Sequence, residues 1–242
     1  MTVDFVTFCC PKDVRRLAVP GELTNRVNSH GYKFDNVFVV RQRLANDFDD
    51  IIISSSDFTV TEIRSEDHPD ILAEYNIPEF DARAEDLTHG PSAAHYWKWH
   101  VINHLIGLKV STADYIVFSD CDCRIINQKS PWVLKAIEII EAHPQLVLIV
   151  GPSDGGNMAE RMLPGGVRLT QNVSQQMFLC KRAVFKSIDF DHPWDGKFTA
   201  PGGPFQEYYW LMEGRIWRNL RALGMYRAIL PEAWRYWHDG WH

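Results

Sequence analysis

Two aspartates one residue apart, Asp120 and Asp122, are the residues of this 242-residue chain whose spacing most directly indicates chemistry. They follow an apolar run at residues 113–118, which predicts a buried strand. Because side chains alternate along an extended segment, both carboxylates are expected on one side. Such a pair suits a hard ion such as Mg²⁺ or Mn²⁺, with the phosphates of a ligand completing the coordination. Such a triplet is often only a solvated turn, but the buried strand and the helix predicted before it favour a metal-assisted site for a diphosphate.

The same alternation predicts that Cys121 and Cys123 point away from the aspartates. Neither this pair nor the pair at residues 9–10 has the Cys-x₂₋₄-Cys spacing of zinc knuckles, so small buried side chains are the preferred interpretation. Five cysteines, an odd number without a secreted framework pattern, indicate a reducing compartment. With no basic region at the N-terminus, the sequence predicts a cytoplasmic protein without a signal peptide.

The elements that must position the aspartates alternate along the chain. Helices are predicted at residues 92–108, 132–142 and 205–223, a loop at 154–169, and strands at 3–9, 36–40, 50–54, 58–63, 113–118, 146–150, 173–185 and 226–230. This alternation predicts a single α/β domain with a mainly parallel central sheet flanked by helices. Ligands of such sheets bind beyond the carboxyl ends of the strands, where Asp120 is expected.

Hydropathy, net charge and the absence of a glycine motif argue against several classes of protein. No apolar run approaches the roughly 18 residues that span a bilayer. No G-x-G-x-x-G follows the first strand, which disfavours a dinucleotide-binding Rossmann site. The formal net charge is −6, which argues against nucleic acid as a partner. Arg215, Arg218 and Arg221 recur every three residues and are interpreted as a solvated helix face.

Residues 113–122, with the helix predicted before them, resemble the core of GT-A fold glycosyltransferases of the family-2-like kind. In that family a D-x-D motif and a divalent metal bind the diphosphate of a nucleotide sugar. Residues 175–182 resemble the strand that lines the acceptor side, and residues 205–224 resemble a segment in which an acidic pair opens a helix ending in Arg and Gly. The resemblance implies one Rossmann-like domain over residues 1–242, with a donor half at 1–124 and an acceptor half at 125–242.

The resemblance also implies roles for individual residues. Asp120 and Asp122 would bind Mn²⁺ or Mg²⁺, with His238 as third ligand and His242 as second choice, and Asp122 would act in catalysis through the metal. Glu207 would deprotonate the acceptor hydroxyl, although Gln206-Glu207 replaces the usual Glu-Asp pair and the helix dipole alone also favours a carboxylate there. The residues expected around the donor are Thr7, Phe8, Cys9, Arg41, Lys98, Asp120 and Gln176.

Together these features favour a metal-dependent glycosyltransferase that moves a sugar from a UDP- or GDP-type donor to an acceptor hydroxyl. A nucleotidyltransferase is an alternative, but the basic segment at residues 9–16 lacks the glycines expected of one. A non-catalytic carbohydrate-binding module is another. A third alternative is a glycosyltransferase-fold protein whose acceptor is a hydroxymethylated base in phage-type DNA. The sugar, the acceptor and the oligomeric state stay open.

Overall fold

The computed structural model describes residues 1–9, 11–41, 51–77, 91–153, 155, 159–174, 176–192 and 212–238, with the backbone alone at 11–12 and 91–100. The strands in these ranges are β1 Val3–Cys9, β2 Asn36–Arg41, β3 Val60–Arg64, β4 Tyr115–Asp120, β5 Cys123–Gln128, β6 Val147–Gly151, β7 Arg161–Leu163, β8 Val167–Thr170, β9 Met177–Lys181, β10 Tyr226–Ile229 and β11 Trp234–His238. The helices are α1 Pro11–Leu17, α2 Glu22–Ser29, α3 Ile71–Glu74, α4 Pro91–Val110, α5 Trp132–Ala142, α6 Arg182–Lys186 and α7 Met212–Leu223.

Nine of the described strands form one sheet in the order β3-β2-β1-β4-β9-β6-β10-β8-β7. Strands β8 and β9 run against the other seven, as their antiparallel pairings with β10, β7, β4 and β6 require. The remaining neighbours pair in parallel. The predicted α/β class with a mainly parallel central sheet is therefore confirmed.

Alternating side chains cover the sheet on both faces. In β1, Val3 and Phe5 belong to a core cluster that includes side chains of α1, α2 and α5. Val6 and Phe8 belong to a second cluster, with side chains of α3, α4 and α7. Since both faces are buried, the central strands are almost continuously apolar. The result is three layers, helices on sheet on helices.

The order of the strands reverses between β1 and β4. From β1 the chain proceeds outward to β2 and β3, and it then returns through α4 to β4 on the other side of β1. Such a reversal leaves a crevice at the carboxyl ends of the two strands, which is the usual ligand site of open α/β sheets. Cys9 ends β1 and Asp120 ends β4, with Phe8 directly opposite Asp120.

A smaller sheet lies outside the main one and pairs β5 with β11 in antiparallel register. Its inward-facing residues are buried or half-buried, and its outward-facing residues include Arg124, Ile126 and Trp237, all exposed. The hydrogen bonds of Ser153 with the backbone of Trp234 and Tyr236 tie β11 to the end of β6. The small sheet therefore closes over the carboxyl end of the main sheet.

Several predicted elements differ from the structure. Residues 51–54 are not a strand, because Glu62 and Arg41 side chains bind the backbone N–H of Ile53 and the carbonyl of Ile51. The predicted loop at 154–169 contains β7 and part of β8, joined by a tight turn at Pro164–Gly166. The strand predicted at 173–185 is the shorter β9, followed by α6. Residues 234–238 form a strand after the one predicted to be last.

The helix predicted to end at residue 223 ends there, and Gly224 follows it with a φ of 65°. A left-handed residue at this position is a common helix terminator that glycine adopts without strain. No helix in the described ranges combines the length and the apolar composition needed to cross a bilayer.

Candidate functional site

Asp122 and His238 meet beside the carboxyl end of β4. His238 Nε2 lies 3.1 Å from Asp122 Oδ2, and each side chain is about a quarter exposed, at 24% and 23%. The two residues are 116 positions apart in sequence, so the contact depends on the pairing of β5 with β11. A carboxylate and an imidazole at this separation, open to solvent on one side, are a suitable pair of ligands for a divalent ion.

Cys123 completes a cluster of three potential metal ligands. One ligand atom from each of Asp122, Cys123 and His238 lies within 4.8 Å of the others, and Cys123 Sγ is 4.0 Å from Asp122 Oδ1. The expectation that alternation turns Cys123 away from the aspartates is wrong. Residues 121 and 122 form a turn between β4 and β5, so the extended geometry on which the expectation depended ends at Asp120.

Asp120 lies next to this cluster without belonging to it. Its side chain keeps some exposure, but the surrounding protein removes most of its solvation. That burial raises the pKa of Asp120 well above its usual range, and the negative charges of Asp122, Glu213 and Asp13 raise it further. Four acidic groups, two at the end of β4 and one each from α1 and α7, therefore act on one another there, and a cation would offset their mutual repulsion.

Gln176 links β4 to the small sheet. Its carbonyl oxygen accepts a hydrogen bond from the N–H of Asp120 at 2.7 Å. Its side-chain oxygen accepts one from the Tyr236 hydroxyl at 2.8 Å. Tyr236 is two residues before His238 and lies on the same inner face of the small sheet. Gln176 thus fixes the positions of Asp120 and His238 relative to each other, and its contact with a donor stays a prediction.

Helix α2 holds the other strand of the small sheet. Arg26 donates from Nη1 to the carbonyl of Cys123 at 3.4 Å, and Ser29 Oγ accepts from the N–H of Ile125 at 3.1 Å. Glu22 in turn binds the Arg26 guanidinium at 2.6 Å. The start of β5, and with it Cys123, is therefore anchored to the helix layer.

The predicted donor residues on β1 and β2 have different surroundings. Thr7 and Cys9 are buried near the carboxyl end of β1. Phe8 packs against the rings of His104 and Phe118 in the second core cluster. The guanidinium of Arg41 at the end of β2 binds Glu62 at 2.7 Å and the carbonyl of Ile51 at 3.0 Å. Their roles in donor binding stay predictions.

Some predicted site residues lie outside the described residues. They are Glu207, His242 and the side chain of Lys98, whose backbone belongs to α4.

Glu213, Asp13 and Cys123 were missed as site residues by sequence reasoning. Glu213 lies in the first turn of α7 as described, and Asp13 lies in the first turn of α1. Neither belongs to a sequence motif, so its influence on Asp120 follows only from the packing of the two helices around the sheet. Cys123 did have a signal, because it is adjacent to Asp122 in sequence.

The three arginines of α7 do not form a solvated face. Arg215 and Arg218 are buried, with 1% and 4% exposure, and Arg215 donates to the carbonyl of Phe190. Their spacing places them on the side of α7 that also carries the buried Met212 and Asn219. Arg221 is exposed and lies 5.1 Å from the ring centre of Trp217. The predicted solvated face is therefore wrong for Arg215 and Arg218 and holds for Arg221.

No family model and no curated protein matches the sequence. Solved structures are similar: residues 1–349 of S. aureus TarS match at 13% identity and a TM-score of 0.45, over 98% of this chain and 60% of that one. A Mycobacterium tuberculosis glucosyl-3-phosphoglycerate synthase with Mn²⁺, UDP and phosphoglyceric acid matches at 15% and 0.39, over 77% and 58%. A Pyrobaculum calidifontis mannosyltransferase with GDP-Man and Mn²⁺ matches at 14% and 0.41, over 75% and 44%. This chain spans less than two thirds of the length of each of these chains. Because the TM-scores are all below 0.5, the description of its fold depends on its own strand order and pairing.

Proposed function

We propose that this chain is a GT-A-type, metal-dependent glycosyltransferase that moves a sugar from a nucleotide-diphosphate donor to an acceptor hydroxyl. The observation that carries the proposal is the meeting of Asp122 and His238 at 3.1 Å beside the carboxyl end of β4. This is the crevice where the strand order reverses and where ligands of open α/β sheets bind.

The chemistry of the ligand set fits a divalent ion. Asp122 supplies a carboxylate and His238 an imidazole, and Asp120 adds a carboxylate whose negative neighbours favour a nearby cation. When bound, Mn²⁺ or Mg²⁺ would neutralise charge on a departing nucleoside diphosphate. The side chains of Asp122 and His238 would hold this ion, and Gln176 would keep the end of β4 and the small sheet in register.

A carboxylate is also needed to accept the proton of the acceptor hydroxyl. The negative charge of Glu213 contributes to the raised pKa of Asp120, and Glu213 is half-buried at the start of the described part of α7. We assign Glu213 this role beside Glu207, because general-base catalysis requires a group within reach of the reacting hydroxyl. Residues 1–124 would then bind the donor and residues 125–242 the acceptor, with His238 reaching back from the second half to the metal.

The proposal is tested by a donor screen that measures nucleoside diphosphate release from UDP- and GDP-sugars, with and without Mn²⁺. The wild-type chain should release UDP or GDP from at least one donor when Mn²⁺ is present. Mn²⁺ with UDP or GDP should also raise its melting temperature. Asp122→Ala should abolish both effects, because it removes the carboxylate shared by the metal and His238.

The matched control is Asp70→Ala, which removes an exposed aspartate that precedes α3. It should retain both the release of nucleotide and the thermal shift. Pyrophosphate as the product from a nucleoside triphosphate would point to a nucleotidyltransferase. If no donor is cleaved and no nucleoside diphosphate changes the melting temperature, the proposed function is wrong.

A further inference from the structure

The register of the small sheet places Cys123 directly opposite His238. Residues in this relation across an antiparallel pair point to the same face, with Cβ atoms about 4.5–5.5 Å apart. Tyr236 and Ile125, the next inward-facing residues, are buried beside them, whereas Arg124 and Trp237 between them face outward and are exposed. The thiol and the imidazole therefore share the inner face of the sheet with Asp122 at its edge.

The distances among these three groups are close to those of a tetrahedral metal site. Bonds of about 2.0–2.3 Å from Zn²⁺ to O, N and S place neighbouring ligand atoms about 3.3–3.7 Å apart. His238 Nε2 lies 3.1 Å from Asp122 Oδ2, and Cys123 Sγ lies 4.0 Å from the other carboxylate oxygen, Oδ1. One ligand atom from each of the three residues lies within 4.8 Å of the other two. Small side-chain rotations are enough to close the set around one ion.

We propose that Cys123 is a metal ligand, so that Asp122, Cys123 and His238 bind a thiophilic divalent ion of the Zn²⁺ and Co²⁺ class more tightly than Mg²⁺. Thiolate is a soft ligand that Zn²⁺ binds well and Mg²⁺ does not favour. The imidazole and the carboxylate are also ligands that Zn²⁺ accepts. A thiolate and a carboxylate together carry two negative charges, which balance the two positive charges of the ion.

Three protein ligands leave a fourth position for a water molecule or a phosphate oxygen, as in catalytic zinc sites. This inference rests on the proposed function only for the place where the metal binds. It does not require that the protein transfers a sugar. Its consequence is that Cys123 sets which metal the site prefers.

The test is a Co²⁺ titration of the chelator-treated 242-residue chain without any nucleotide. The wild type should develop a thiolate-to-cobalt charge-transfer band in the near ultraviolet and intense visible bands of four-coordinate cobalt. Zn²⁺ should remove these bands by displacement. Cys123→Ser should lose the charge-transfer band and weaken Zn²⁺ binding by more than the roughly 10–100-fold that loss of an outer-shell partner costs.

Cys180→Ser is the matched control, because Cys180 is equally buried but lies in the second core cluster. It should keep the wild-type spectrum. Circular dichroism of Cys123→Ser and Cys123→Ala checks folding, and alanine preserves the apolar character of the buried position. A wild-type spectrum without the thiolate band, or the same band in folded Cys123→Ala, would overturn the inference.

The outcome is independent of the donor screen. Mn²⁺-dependent nucleotide release without a thiolate band would leave the proposed function standing and reject the role of Cys123. A thiolate band lost in Cys123→Ser, without cleavage of any donor, would establish the metal site and reject sugar transfer.

Discussion

Substitutions of Asp122 and Glu213, two carboxylates that act on Asp120, should affect different steps of the reaction. Asp122 contacts His238, whereas Glu213 influences Asp120 through its charge from a neighbouring helix. A group that binds the metal affects donor binding, and a group that accepts a proton affects the chemical step. Variants of the two residues therefore separate the two roles.

Glu213→Gln should lower kcat by about 10²–10⁴-fold, the range that a general base contributes, with little change in the KM of the donor. The change keeps the shape of the side chain and removes only its ability to accept a proton. Steady-state kinetics with the donor identified by the screen measure this. Glu138→Gln, at an exposed carboxylate paired with Lys135, is the control. If Glu213 only stabilises the first turn of α7, Glu213→Gln will lower the melting temperature and leave kcat unchanged.

The limits of sequence-based prediction are clearest at Asp122 and Cys123. The apolar run before Asp120 is a local signal, and it correctly predicted a buried strand ending at the aspartates. The turn at residues 121–122 depends on β5 pairing with a strand about 110 residues away, which no local pattern encodes. Alternation therefore holds only as far as Asp120, and the turn after it brings the Cys123 thiol to the side of Asp122.

At the scale of elements, the contact of α4 with the sheet is unusually close. A Cβ placed at Gly107 would lie 2.7 Å from Val6 Cγ1 and 2.8 Å from Phe118 Cε1. These atoms belong to β1 and β4, the two strands that flank the crevice. The absent side chain at Gly107 therefore allows the helix to approach the strands that carry Cys9 and Asp120.

Gly107→Ala should destabilise the protein, although alanine favours a helix by about 1 kcal/mol over glycine. Overpacking a well-packed core costs about 1–3 kcal/mol, and neither a valine methyl nor a buried ring can move away easily. Chemical denaturation should show a lower free energy of unfolding for the variant. In a double-mutant cycle Val6→Ala should offset part of the cost, because it removes one of the two clashing groups. A Gly107→Ala protein as stable as the wild type would show that α4 shifts freely.

At the scale of the whole molecule, the two halves of the sequence are joined across the core as well as at the site. His30 at the end of α2 is fully buried, and its Nδ1 accepts a hydrogen bond from Trp132 Nε1 at 2.9 Å, at the start of α5. The rings of Phe5 and Phe34 pack against it. Hydrophobic periodicity in the sequence predicts the helix and sheet layers. It does not predict a contact between side chains 102 residues apart, such as that of His30 with Trp132.

The burial of His30 makes global stability depend on pH. Burial lowers the pKa of His30 from 6.5 to about 3, so the folded protein keeps the imidazole neutral over that interval while the unfolded chain binds a proton. The unfolded state therefore gains protons as pH falls below 6.5, and the free energy of unfolding should decrease by up to about 1.4 kcal/mol per pH unit towards pH 3. His30→Asn keeps a hydrogen-bond acceptor and cannot titrate. Denaturation curves at several pH values should give a shallower acid dependence for this variant, and the difference between the two profiles isolates His30 from the carboxylates. Parallel profiles would mean that His30 becomes protonated without unfolding.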